Sequence, residues 1–358
     1  MNFRSAIRAF SCALLVLLIA GPAAAQWRVN SKDGESSIKF GFLAVMRADS
    51  EELISGDSLE NLYFRRLRLM MGGTLSKKWT FFLETDSPNI GRTNAQGEKI
   101  DEDVFIQDFF ITYSPSATFK VDMGLLLIPL SRNSTQSAAT HLTSDYGPYS
   151  FLNSAPTQSR IGRDYGVQIR GTARRDKFEY RLGIYDGDRT ATDDFRFAGR
   201  VMYHVLDPEP VMFYTGNTLG ARRHLSFGAS FDVEDDYRAL GFDVFYDQPI
   251  GDGGSALTLQ ADFIRYDGGE TFPSLPEQDA LLLEAGYLLG GSKIQPWIQY
   301  AERDFRDDLQ ADEDQLLVGV NYRLDGHRRV LRLAYGQLGL DGSPDRELVQ
   351  LTFQVFQF

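Results

Sequence analysis

From residue 36 to residue 358 the chain alternates apolar and polar side chains with a period of two, and no other feature constrains its fold as tightly. Ile38, Phe40, Phe42, Ala44 and Met46 share one parity, and Lys39, Gly41, Leu43, Val45 and Arg47 share the other. Successive side chains of a strand point to opposite faces, whereas a helix returns to the same face every three or four residues, so this spacing predicts a strand with one apolar face. The same reading applies to Phe119, Val121, Met123 and Leu125 against Lys120, Asp122 and Gly124, and to Leu240, Phe242, Val244 and Tyr246 against Gly241, Asp243 and Phe245. Carried along the chain, it predicts 16 strands at about 36–48, 61–72, 78–87, 103–113, 117–128, 162–171, 176–186, 195–206, 223–233, 236–247, 255–267, 278–289, 292–303, 313–324, 328–338 and 346–358. In the last of these, Phe356 and Phe358 fall on the parity opposite to Val349, Leu351, Phe353 and Val355, which predicts a bulge or an early end to pairing.

Alternation is shared by soluble sandwiches, whose apolar face points inward, and outer-membrane barrels, whose apolar face meets lipid. Three further features favour the barrel. Arg4 and Arg8 precede an apolar run from Ala13 to Ala20, and Ala23-Ala24-Ala25 follows, so residues 1–25 read as a cleaved secretory signal peptide ahead of a barrel domain at 26–358. The apolar run is far shorter than the roughly 20 residues that a spanning helix needs. The single cysteine, Cys12, lies in that leader, so the exported chain is expected to hold no disulfide. Aromatic residues such as Trp79, Tyr113, Tyr180, Trp297 and Tyr335 mark strand ends, as in the girdles of membrane barrels.

Composition excludes other classes. Removing Arg4 and Arg8 leaves 35 basic against 49 acidic side chains, too acidic for a nucleic-acid partner. No later run is long and apolar enough for a membrane helix. His141, His204, His224 and His327 are too scattered for a metal site, so no cofactor is expected. His141 beside Ser144 and Asp145 is the single grouping that evokes hydrolytic chemistry; three neighbours in a polar loop are a thin basis, and the expectation is that the chain is not an enzyme.

An even strand count puts both termini at one end, and the connections then sort by length. Gly72-Gly73, Ser114-Pro115, Gly251 to Gly254 and Asp325-Gly326 mark tight turns at one end. At the other end the connections are longer and mostly acidic, as at 87–102, 129–161, 268–277 and 304–312. One connection, 207–222, is long yet falls among the short turns. A barrel of this strand number leaves an aqueous passage, so a diffusion channel is expected; a surface scaffold or receptor is the alternative.

Particular residues add a family resemblance. Phe64-Arg65-Arg66-Leu67-Arg68-Leu69, Ile106 to Tyr113, Gly162 to Ile169, Phe197-Ala198-Gly199-Arg200 and Val318 to Tyr322 resemble, in order, strands of the phosphate-selective porin O and P family. The resemblance implies an all-β, 16-stranded antiparallel transmembrane β-barrel in the bacterial outer membrane, contacting lipid and lipopolysaccharide, assembled as a homotrimer. It also implies a third external loop folded inward, here 129–161, and passage of small anionic solutes, phosphate among them. The chain departs from the family at Leu127-Ile128-Pro129, where a lysine and two prolines are usual, and at Gln299, where an arginine is common. Residues 129–161 hold no lysine and a single acid, Asp145. A weakly selective general porin is therefore a second expectation.

An anion that sheds water in a narrow pore needs fixed positive donors, and the planar guanidinium stays charged and matches an oxyanion. Beyond the leader there are 27 arginines to eight lysines. Arg66 and Arg68 share one face of a strand, Arg170 and Arg181 lie on the polar faces of adjacent strands, and Arg132 and Arg160 flank the loop; these six are the candidate pore-lining residues. The competing expectation is that they pair with lumen acids such as Glu84, Asp86, Asp108, Glu179 and Glu284 and stiffen the wall without selecting anything.

Overall fold

The computed structural model describes residues 27–94, 96–101, 103–150, 162–188, 192–306 and 310–358. A short strand β1 (Trp27–Asn30) precedes β2 (Ser37–Glu52), β3 (Ser58–Ser76), β4 (Trp79–Asp86), β5 (Phe105–Ser116) and β6 (Phe119–Leu127). After the long loop come β7 (Arg163–Ala173), β8 (Phe178–Tyr185), β9 (Arg196–His204), β10 (His224–Glu234), β11 (Tyr237–Ile250) and β12 (Ser255–Asp267). The chain ends with β13 (Gln278–Leu288), β14 (Ile294–Phe305), β15 (Glu313–Asp325), β16 (Arg329–Leu340) and β17 (Arg346–Gln357).

Each of β2 to β17 pairs antiparallel with its neighbour in sequence, and β17 pairs back onto β2, closing a ring of 16 strands. Closure leaves no unpaired edge, which matters because an unsatisfied backbone group in hydrocarbon costs several kcal/mol. Every predicted strand corresponds to one observed strand. The addition is β1, too short to show alternation. It pairs with Ser37 to Phe40 on the edge of β2 that β17 leaves free beyond Phe42, so the two ends of the chain complete one line of the barrel.

The predicted irregularity in the last strand is not there. β17 pairs with β2 without a register shift as far as Gln357. Phe356 and Phe358 instead turn into the barrel, where they pack against a cluster containing Leu43, Val45, Met70 and Ala138. Elsewhere parity sorts the faces as expected. Leu69, Phe242 and Leu333 stand on the outside, at least half of each exposed, while Arg68, Asp243 and Arg332 on the opposite parity are almost fully buried. Large apolar side chains bare to the exterior of a folded barrel mark the lipid face.

The connections divide by length as the sequence indicates. At one end lie 77–78, 117–118, 174–177, 251–254, 289–293 and 326–328, all short. The opposite end carries the longer 87–104 and 128–162, together with 53–57, tighter than expected, and the short turn 235–236, as tight as the expected strand limits imply. The long turn 205–223 sits at the short-turn end.

Candidate functional site: the charged lumen

Residues 129–150 lie inside the barrel and are tied to the wall on many sides. The Asn133 amide donates to Asp262 of β12 at 2.8 Å, and Thr143 donates to Glu284 of β13 at 2.9 Å. Asn321 of β15 donates to the Leu142 carbonyl at 2.7 Å, and Gln354 of β17 donates to the Ala139 carbonyl at 2.8 Å. On β10, Ser230 donates to the Leu130 carbonyl. This close approach needs Gly241 beside it on β11, because a Cβ there would collide with the same carbonyl oxygen.

Five of the six candidate arginines are placed by the structure, all on the lumen side and all paired with acids. Arg68 binds Glu84 at 2.7 Å and Asp86 at 2.8 Å. Arg170 binds Asp122 at 2.6 Å, and Arg181 binds Glu179 at 2.9 Å. Arg170 and Arg181 are direct cross-strand partners, a like-charge contact that each offsets with its own acid. Arg132 binds Glu209 at 2.8 Å with its guanidinium 3.6 Å from the centre of the Phe245 ring. Arg66 binds Asp145. Arg160 lies outside the described residues. Of the acids expected to pair, Asp108 holds Arg163 at 3.3 Å, while Glu284 is held by Gln299 at 2.7 Å and Thr143 rather than by an arginine.

The wall from β3 through β11 is thus compensated almost residue by residue, with Arg196 on Asp232 and Arg200 on Asp243 continuing the series at 2.6 Å each. The stretch from β15 through β3 differs. Arg47, Arg65 and Arg66 all converge on the single carboxylate of Asp145, Arg65 at 2.6 Å and Arg47 at 3.3 Å. Consecutive Arg65 and Arg66 can both reach it because the β2–β3 register shifts between Val45 and Met46, a bulge that breaks the alternation there. Burial alone would raise the Asp145 carboxyl, but Arg65, Arg66 and Arg47 overcome this and hold it well below the usual carboxylate range.

Arg323 and Arg332 complete the stretch. They are diagonal neighbours on β15 and β16, 3% and 2% exposed, and contact no carboxylate among the described residues. Arg332 donates through Nη1 to Gln354 at 3.1 Å, and its Nε and Nη2 have no hydrogen-bond partner; Arg323 donates through Nε to Gln295 at 2.7 Å, and its Nη2 has none. Among the described residues, the only carboxylate ion-paired with these five guanidiniums is that of Asp145. Motifs point to Arg66 and Arg68 but not to Arg47, Arg323 or Arg332; their one sequence signal is polar-face parity between apolar neighbours, as in Leu331-Arg332-Leu333.

The grouping of His141, Ser144 and Asp145 assembles no acid–base relay. Asp145 is engaged by three arginines, the Ser144 hydroxyl and His141 Nε2 have no hydrogen-bond partner, and the His141 ring stands edge-on to Tyr146 at 4.1 Å.

A closed barrel with an apolar exterior and a charged, loop-filled interior defines an outer-membrane porin. Residues 46–206, just under half of the chain, match the family model described as phosphate-selective porin O and P. Among solved structures the chain is similar to an anion-selective porin from Comamonas acidovorans, with 16% identity, a TM-score of 0.60, and coverage of 90% of this chain and 100% of that one. It is also similar to OmpF of Salmonella typhi, solved with daunomycin, at 14% identity and a TM-score of 0.56 over 92% of this chain and 100% of that one. The trimer form of OmpT from Vibrio cholerae matches at 10% identity and a TM-score of 0.57 over 90% of this chain and 100% of that one. At such identities these are likenesses of fold. No curated protein matches the chain.

Proposed function

We propose that this porin passes small anions, oxyanions such as phosphate among them, along the β15–β3 side of its lumen. The observation that carries the reading is that five guanidiniums, at Arg47, Arg65, Arg66, Arg323 and Arg332, share a single ion-paired carboxylate, that of Asp145, among the described residues. The net negative charge of the chain does not oppose this, because an ion responds to the field where the passage is narrowest. Arg66 then acts as a selecting residue, while Arg68, Arg132, Arg170 and Arg181 are stiffened by their acids and contribute less. In this reading segment 129–161 narrows the pore, the short-turn end faces the periplasm, residues 1–25 are removed on export, and three copies assemble. The trimer form of OmpT, a structural neighbour, supports the last point. Lipopolysaccharide lies against the outward apolar band near the long loops.

Replacing Arg323 and Arg332 together by glutamine tests the reading. In planar bilayers with a salt gradient, the anion-to-cation permeability ratio falls toward one; an unchanged ratio in folded protein contradicts it. A second reading, a weakly selective general porin, is favoured by the one-to-one pairing on the β3–β11 wall. It predicts a ratio near one in the parent protein.

A further inference from the structure

We propose that the turn 205–223 is a second constriction element, which meets the inward loop in mid-lumen and sets the size limit of the pore jointly with it. This rests on the porin reading and adds to it a determinant entering from the opposite mouth. The turn spans the residues between His204 and His224, where the other connections at that end have five residues or fewer. Length of this kind in a short-turn position calls for a physical reason, and the contacts supply one.

The turn does not hang outside the barrel. Tyr214 and Asn217 are fully buried and Glu209 is 5% exposed. Gln136 of the loop and Tyr214 of the turn form a parallel β-bridge. The Ser137 amide donates to the Tyr214 carbonyl at 2.9 Å and the Tyr214 amide to the Thr135 carbonyl at 3.0 Å. Below this, the Gly216 amide donates to the Thr140 hydroxyl and Asn217 to the Thr140 carbonyl, both at 3.0 Å. Gly216 is required for that approach, since a Cβ would stand 2.6 Å from the Thr140 oxygen. Arg132 spans the two segments as a charged pin, donating to Glu209 at 2.8 Å and to the Thr215 carbonyl at 2.9 Å.

The same turn is fastened to the wall in three directions. Arg181 of β8 donates to the Val211 and Met212 carbonyls at 2.7 and 2.9 Å, and Tyr214 donates its hydroxyl to Glu179 at 2.8 Å. Phe213 packs on Phe82 of β4 with ring centres 5.6 Å apart. The Thr218 amide donates to Asp247 of β11 at 2.7 Å. A segment pinned across this much of the lumen takes cross-section from the passage, and Arg181 acts in it as a positioning residue through the turn rather than as a contact for the solute.

The test uses the full-length protein folded into bilayers and liposomes. In one variant residues 208–217 are replaced by two glycines; in another, Tyr214→Ala removes the ring whose centre lies 4.9 Å from the Arg132 guanidinium of the loop and the hydroxyl that donates to Glu179, and keeps the backbone bridge. Single-channel conductance and the largest sugar admitted in liposome swelling are compared with the parent. The excision is expected to raise conductance at least twofold and to admit larger sugars, and Tyr214→Ala to shift both in the same direction by less. Should the excised chain fail to show the heat-modifiable migration of a folded barrel, Tyr214→Ala decides alone. Parent-like conductance and size limit in folded variants overturn the inference and leave the porin reading intact. A silent parent opened by excision upholds the inference, and silence in parent and variant alike overturns both.

Discussion

Asp145→Asn isolates the charge balance of the lumen with the smallest change in shape. In the folded protein Asp145 is the one carboxylate bound by Arg47, Arg65 and Arg66, and its side chain keeps 20% exposure. Breaking a buried ion pair from one side costs roughly 3–5 kcal/mol. Ties that hold the loop elsewhere, at Asn133, Ala139, Leu142 and Thr143, contribute about 0.5–1.5 kcal/mol each and keep it inside the barrel, loosened rather than lost. The electrical effect is larger in its consequence. Adding one positive unit about 6 Å from a passing ion in a water-like medium is worth ~0.7 kcal/mol, about threefold in the partitioning of a monovalent ion. Anions gain and cations lose, so the permeability ratio is expected to rise about tenfold at low salt, and by less at ~0.1 M where the screening length is near 10 Å. The assay is the reversal potential across a planar bilayer under a potassium chloride gradient, with Asp145→Glu as the charge-keeping control. An unchanged ratio, or one moved toward cations, in a variant whose loop remains protected from protease refutes the reasoning.

Other outcomes follow from the same contacts. His327, in the turn between β15 and β16, is pushed down to about 3 by burial and by Arg323 and Arg332. The unfolded chain therefore binds its proton first, and stability is lost as pH falls from about 6.5 toward 3; a heat-modifiability midpoint that falls over this range in the parent and less in His327→Gln checks it. Gly241→Val forces the loop off β11 at Leu130, and proteolysis within 129–150 is expected to speed up while the barrel stays folded; parent-like protection counts against the packing described. N-terminal sequencing of exported protein is expected to begin at Gln26, and an intact Met1 in the outer membrane contradicts the cleavage reading. Light scattering of detergent-extracted protein is expected to report three copies, with a monomeric mass against the assembly.

The strands were legible because a barrel wall exposes one face to lipid and the other to water and charge, which writes a period of two into every segment. Phe242 and Asp243 show it most simply, one bare to the exterior and the other paired with Arg200. What escaped reading lacks such a period. β1 is four residues long, and its place is set by the edge of β2 rather than by its own pattern. Phe356 and Phe358 look like misplaced lipid-facing side chains until the cluster beneath the loop is seen. Six arginines could be named from motif and parity, yet charge compensation depends on pairs such as Arg132 with Glu209, 77 positions apart, which no local pattern encodes. For the same reason Arg332 looked no different from its paired counterparts. The anomalous turn at 207–222 was visible as an anomaly, and only three-dimensional contact shows that it enters the lumen.

The central claim is that uncompensated guanidiniums, and not the net charge of the chain, govern what the barrel admits. The reversal potential of the unmodified protein in a tenfold potassium chloride gradient tests it directly. The account predicts stepwise conductance with a potential displaced toward the chloride equilibrium value; displacement toward the potassium value contradicts it.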